Sequence, residues 1–198
     1  MQDLIVQSAF INGKWVSEAE RRLTVNNPST NATIGSIPVL TVPQVMCAIE
    51  SAVCALSSWR IQSPAVRSSL LCSLAELLVR DREKMAQIIT IENGKPIRES
   101  ISEVDYSVSF IRWYAEETKR IYGSTITADN PSHQLLVQKN PIGVCALITP
   151  WNFPLAMLTR KMAAALAAGC TIVAKPAENT PFSALALARL IEEAGFPS

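Results

Sequence analysis

Apolar residues recur along this chain in two rhythms. Between residues 41 and 119 the rhythm is helical. Val42, Val45, Ile49, Val53, Leu56 and Trp59 form one stripe, opened by Thr41-Val-Pro-Gln44, which has the form of a capping box. Leu70, Leu74, Leu77 and Leu78 form a second, after an N-cap serine and first-turn proline at Ser63-Pro64. Met85, Ile88 and Ile89 carry a third, closed by Asn93-Gly94-Lys95-Pro96. Ile101, Val104, Val108, Ile111 and Ala115 then mark a long helix over about 97–119. Stripes of this kind need a larger body to pack on.

On either side the rhythm is that of strands. Residues 9–16 read as a hairpin around Asn12-Gly13, and 22–25 and 33–37 as short strands flanking a turn-rich 26–31. Residues 123–143 read as extended chain, strand-like at Gln134–Gln138. Val144–Ile148 and Thr171–Ala174 are unbroken apolar runs, which predicts parallel strands buried on both faces. A helix over about 153–168 joins them, ended by Gly169, and another runs from Thr180-Pro181 to about 194, ended by Gly195. Strand, helix, strand, helix in that order predicts an α/β fold with a right-handed βαβ unit.

Composition narrows the function. The chain has 198 residues, 48% hydrophobic and 18% charged, with a net charge of +1. That is a soluble globular balance, and it argues against nucleic acid or an anionic membrane as the main partner. The longest apolar stretch, Met162–Ala174, is too short and interrupted to span a bilayer. Met1–Val6 has no basic region or long apolar core, so no secretory signal is expected, and Asn31-Ala-Thr33 is read as a chance glycosylation pattern. Five cysteines without a Cys-x-x-Cys pair, and one histidine, His133, argue against a metal site. They predict buried free thiols in a reducing compartment.

The candidate chemistry lies just past the two apolar strands. Pro150-Trp151-Asn152 follows the first, and Lys175-Pro-Ala-Glu178 ends the second. One crossover sets these ends side by side, on the edge where open parallel sheets bind ligands. An ammonium and a carboxylate there suit ribose hydroxyls, and a primary amide can donate to a developing oxyanion. No G-x-G-x-x-G follows the first strand, so the usual dinucleotide fingerprint is missing. Blander readings compete. Asn152 could be the N-cap of its helix, Trp151 a core residue, Lys175 and Glu178 solvated charges, and Arg160 a surface arginine. Pairing at one edge favours the site, and an arginine in a largely apolar helix calls for a carboxylate.

Thr149-Pro-Trp-Asn-Phe-Pro154, Ala164-Ala-Leu-Ala-Ala-Gly169, Lys175-Pro-Ala-Glu178 and Thr180-Pro181 together resemble the aldehyde dehydrogenase superfamily. Gly-Lys-Pro at 94–96 and Asn140-Pro-Ile-Gly143 extend the resemblance over essentially the whole chain. Met157-Leu-Thr-Arg-Lys161 and the run 180–188 are most similar to the succinate-semialdehyde group. The resemblance implies an incomplete aldehyde dehydrogenase fold: N-terminal strands and helices over 1–122, a bridging and oligomerisation segment over 123–140, and the first βαβα of a Rossmann-like NAD-binding sheet over 141–198.

It also implies roles. Asn152 is expected to be the side-chain half of an oxyanion hole, stabilising the thiohemiacetal formed when a cysteine thiolate attacks the aldehyde. Ile148, Pro150 and Trp151 are expected to wall the cofactor pocket, and Lys175 and Glu178 to bind the adenosine ribose. Arg160 is expected to hold the distal carboxylate of succinate semialdehyde. Glu178 would repel a 2′-phosphate, so NAD is expected over NADP; related NADP-preferring enzymes often carry a smaller residue there.

The family's nucleophilic cysteine and general-base glutamate are expected beyond Ser198. Cys145 and Cys170 have no activating group nearby in sequence. These 198 residues alone are therefore expected to be inactive and, with an open apolar strand edge, prone to aggregate. A homo-oligomeric full-length enzyme in the cytoplasm, or alternatively the mitochondrial matrix, is the first expectation. A non-catalytic nucleotide-binding or subunit-interaction module is the second.

Overall fold

The computed structural model describes residues 4–197. The stretch read for a secretory signal begins in 1–3, outside the described residues.

The chain opens with β1 (Ala9–Ile11) and β2 (Lys14–Val16), an antiparallel hairpin. Its turn residues Asn12 and Gly13 take φ of 50° and 68°, the left-handed region that two-residue hairpins require. A second antiparallel pair follows, β3 (Arg22–Asn26) with β4 (Thr33–Pro38). Four helices come next: α1 (Val42–Trp59), α2 (Pro64–Arg80), α3 (Arg82–Asn93) and α4 (Ile97–Glu117), the last ending in a tight turn over Thr118–Arg120. Their boundaries follow the sequence signals. Gln44 accepts the Thr41 N–H at 2.9 Å, and the Ser63 hydroxyl accepts that of Val66 at 3.3 Å. Gly94 ends α3 at φ 85°. A solvent-exposed antiparallel pair, β5 (Ser124–Thr127) with β6 (Gln134–Val137), precedes the last unit.

That unit is β7 (Val144–Ile148), α5 (Ala156–Ala167), β8 (Thr171–Lys175) and α6 (Phe182–Glu193), with β7 and β8 parallel. The mixed α/β architecture is the expected one. Helix α4 packs on α2, α3 and α5, so the N-terminal helices and the βαβ unit share one core. Leu71, Leu74, Leu78, Met85, Ile88, Ile89, Ile111, Leu155, Met162 and Leu187 are fully enclosed. Each such side chain contributes about 1.5–3 kcal/mol by leaving water.

Three expectations are corrected. The α1 stripe faces inward only at its C-terminal end: Val42, Val45, Ile49 and Val53 are exposed, Leu56 is half-buried and Trp59 is buried, while Ala52, off the stripe, is buried too. The small side chain at Ala52 lets the helix approach β8 closely, and the Thr171 hydroxyl donates to the Ala52 carbonyl at 2.7 Å. The parallel strands are only partly buried: Leu147 and Thr171, on opposite faces of the pair, are enclosed, while Ala146, Ile148, Ala174 and Lys175 are exposed. The thiols are free, but Cys47, Cys54 and Cys72 are exposed, Cys145 is half-buried and only Cys170 is buried.

No helix among the described residues is long and apolar enough to cross a membrane. No group of three or more potential metal ligands occurs among them either.

Candidate functional site

The parallel register of β7 and β8 sets Ile148 opposite Lys175. The Thr149 N–H carries the ladder one step further, donating to the Lys175 carbonyl at 3.2 Å. The residues that follow each strand therefore leave the sheet from one edge. The Lys161 ammonium, from α5, donates to the Ile148 carbonyl at 3.2 Å and fixes the end of β7.

The expected site residues that close or follow the two strands lie at this edge. Ile148, Pro150, Trp151 and Asn152 are exposed, with Ile148 at 69% of its full accessibility. Lys175 and Glu178 bind each other, Nζ to Oε1 at 2.6 Å, and both side chains remain more than half exposed. That hydrogen bond holds the Glu178 carboxyl below the usual carboxylate range. The pair lies on the rim of an apolar cavity of about 620 Å³ between the β1–β2 hairpin, α1, β8 and α6. A cation donor and an anionic acceptor held together at a strand end, both open to solvent, fit a vicinal diol, so the residues present suit a ribose.

Arg160 lies on α5, exposed, with its guanidinium 5.7 Å from the centroid of the Phe110 ring on α4. Exposed and without an ion-pair partner among the described residues, its charge is available to an anion.

The N-cap reading of Asn152 is overturned. Helix α5 starts at Ala156, and its first N–H groups are capped by a distant carboxylate. Glu103 Oε1, from α4, accepts the N–H of Leu155 at 2.9 Å and of Ala156 at 3.1 Å. Glu92, from α3, does the same for α6, accepting from Phe182 at 2.6 Å and Ser183 at 2.9 Å. Both carboxylates are buried. Burial pushes the Glu92 carboxyl up to about 7, aided by the negative charge of Glu103 and opposed by its N–H donors.

Glu103 is also ion-paired, its Oε2 lying 2.6 Å from the Lys95 ammonium. Lys95 donates to the Asn152 carbonyl at 2.9 Å and stands 4.2 Å from the centroid of the Phe153 ring. Asn93 donates from Nδ2 to the Trp151 carbonyl at 2.8 Å. Sequence reasoning assigned no role to Asn93, Lys95, Glu92 or Glu103. A signal for Glu92 existed: it falls three and four residues after Ile89 and Ile88, on the inward stripe of α3.

Among the described residues, neither interior cysteine has an activating base as a hydrogen-bond partner. Burial pushes the Cys145 thiol up, with neighbouring Cys170 adding to the effect, which removes thiolate rather than forming it.

The sequence profile described as the aldehyde dehydrogenase family matches residues 15–198. An aspartate-semialdehyde dehydrogenase (non-phosphorylating) of Halomonas elongata is 49% identical over 196 residues, 98% of this chain and 40% of that protein. A succinate-semialdehyde dehydrogenase [NADP(+)] of Escherichia coli is 46% identical over 197 residues, 99% of this chain and 41% of that protein. The crystal structure of a succinate-semialdehyde dehydrogenase from Burkholderia pseudomallei superposes with a TM-score of 0.97 at 43% identity, covering 100% of this chain and 41% of that one. The chain thus spans about 40% of the length of the curated relatives it matches.

Proposed function

The chain belongs to the aldehyde dehydrogenase family, and from that premise we propose that it acts as the N-terminal part of an NAD-dependent enzyme that oxidises a short semialdehyde with a distal carboxylate, succinate semialdehyde foremost. The observation that carries this reading is the register that sets Ile148 opposite Lys175, so that Asn152 and the Lys175–Glu178 pair share one sheet edge. The names of the relatives support the substrate class, because aspartate semialdehyde and succinate semialdehyde both carry a carboxylate beyond the aldehyde.

In this reading residues 1–122 and 141–198 contribute to the cofactor-binding domain. Residues 123–140 form the segment through which subunits of a homo-oligomer associate, consistent with the exposed apolar Leu135, Leu136 and Val137. Lys175 donates to the adenosine-ribose hydroxyls and Glu178 accepts from them. Ile148, Pro150 and Trp151 form the wall beside them. NAD, when bound, supplies the hydride acceptor. The Asn152 carboxamide donates to the oxygen of the aldehyde as negative charge develops on it, where a preorganised donor is worth most. Arg160 holds the distal carboxylate and so orients the aldehyde carbon. The attacking cysteine and the general base are supplied by residues outside this chain.

Glu178 favours NAD, because its carboxylate would meet a 2′-phosphate at the ribose.

The test is made in the full-length enzyme. Asn152→Ala should lower kcat by about 10²–10³-fold with KM for NAD little changed, and Lys175→Ala should raise KM for NAD. An Asn152→Ala enzyme with wild-type kcat would sink the oxyanion role. The 198-residue chain alone should show no dehydrogenase turnover.

A further inference from the structure

The loop 149–155 that carries Asn152 lies between a strand and a helix, and its backbone is held largely by side chains from elsewhere. We infer that Asn93 and Lys95 are positioning residues for the Asn152 carboxamide, with Glu103 anchoring Lys95; the inference rests on the oxyanion role proposed for Asn152.

Three observations carry it. First, consecutive carbonyls flank the functional side chain, and each receives one donor. Asn93 Nδ2 bonds the Trp151 carbonyl at 2.8 Å, and Lys95 Nζ bonds the Asn152 carbonyl at 2.9 Å. Neither carbonyl accepts a backbone N–H among the described residues. The Asn152 side chain makes no hydrogen bond of its own there. The point from which it projects, its Cα–Cβ bond, is therefore set by the two peptide planes, whose carbonyls Asn93 and Lys95 hold.

Second, the grip is rigid. Lys95 is 10% exposed in its side chain and Glu103 fully enclosed, 2.6 Å apart. The other oxygen of Glu103 holds the N–H groups of Leu155 and Ala156. One carboxylate thus fixes the end of the loop directly and its middle through Lys95. A buried pair is costly unless its hydrogen bonds are complete, and a lone member left behind is worse. The Phe153 ring, 4.2 Å from Nζ, adds a further contact to the ammonium.

Third, the fold contains its own control. Glu92 caps α6 as Glu103 caps α5, through two N–H groups. No lysine is ion-paired with Glu92 among the described residues. Capping a helix that follows one of these parallel strands therefore does not require a lysine. The extra cation occurs at the helix whose preceding loop carries the oxyanion donor. Catalysis by a donor of this kind depends on placement within a fraction of an ångström.

The test is a double-mutant cycle in the full-length enzyme, using Asn93→Ala, Lys95→Met and Asn152→Ala. Asn93→Ala removes one hydrogen bond and leaves the buried pair intact, so it keeps the test available if Lys95→Met fails to fold. Each of the two should lower kcat about 10-fold or more in the wild-type background, with KM for NAD changing less than two-fold. In the Asn152→Ala background the same changes should lower kcat by less than two-fold, because the group they position is gone. Lys95→Arg should restore part of the loss. Equal losses in both backgrounds would overturn the positioning role while leaving the oxyanion role standing. An Asn152→Ala enzyme with unchanged kcat would overturn the oxyanion role and the positioning role with it. Deuterium exchange of the 150–157 amides should quicken in Asn93→Ala, and unchanged exchange there would also overturn the proposal.

Discussion

Lys175 Nζ stands 2.6 Å from Glu178 Oε1, so the two residues assigned to the ribose bind each other when nothing lies between them. Exposed pairs of this kind contribute at most about 1 kcal/mol to stability, so their arrangement bears on selectivity rather than on the fold. A carboxylate near a 2′-phosphate costs about 1 kcal/mol at 4 Å even in bulk water. Glu178→Ser in the full-length enzyme should therefore raise kcat/KM for NADP relative to NAD by roughly five- to ten-fold. An unchanged ratio would remove Glu178 as the selectivity determinant.

Arg160 lies on Phe110 and has no carboxylate partner among the described residues. Its replacement should therefore affect the substrate more than the protein. Arg160→Ala should raise KM for succinate semialdehyde by an amount equivalent to roughly 1.5–3 kcal/mol, and barely alter KM for an uncharged aldehyde of similar length. Equal increases for both substrates would make Arg160 a structural residue.

Glu92 should make the stability of the chain depend on pH. Its carboxyl is pushed up from 4.5 to about 7 in the folded protein. The folded state therefore holds the proton more tightly than the unfolded state. The contribution is fully present below pH 4.5 and is lost as pH rises toward and through about 7. A shift of that size corresponds to roughly 3 kcal/mol. Urea midpoints of wild type and Glu92→Gln, compared from pH 4.5 to 8, should converge or cross as the wild type loses this advantage. Parallel profiles would show that Glu92 does not titrate in this range.

Gly94 combines a left-handed φ of 85° with a close neighbour, since a Cβ there would lie 2.7 Å from Pro28 Cγ. Gly94→Ala should cost about 1–2 kcal/mol for the backbone alone, with the Pro28 contact added. The melting temperature should fall by roughly 2–8 °C. A fall below one degree would mean that Pro28 and the α3 terminus relax freely.

The exposed Val42, Leu136, Ile142 and Ile148 leave apolar surface open to water around the molecule. The 198-residue chain should bind an apolar fluorescent dye in its native state and associate as its concentration rises. Native chain that stays monomeric and dark with the dye would contradict this.

The order of elements was legible because local chemistry writes it. Asn12-Gly13 set the first turn, Ser63-Pro64 opened α2, and Gly94 closed α3, each through the φ or the hydrogen bond that its own residues supply. Ile148, Trp151, Asn152, Lys175 and Glu178 could be placed at one edge because two strands joined by a single crossover lie side by side. The inward face of α1 was legible only at its end, in Trp59. Its apolar period gives a stripe, but the small residue at Ala52 decided the contact with β8.

By itself, then, the sequence determined the strand–helix alternation, the shared edge and the residues that stand on it, because these follow from spacing along one chain. Tertiary structure alone decided what holds that edge in shape. Lys95 and Glu103 reach residues 152 and 155 across 57 and 52 positions of sequence. No period or motif encodes such a meeting. It exists because α4 packs against α5, excludes water from the carboxylate, and leaves the N–H groups of one helix and the ammonium beside another as its available partners.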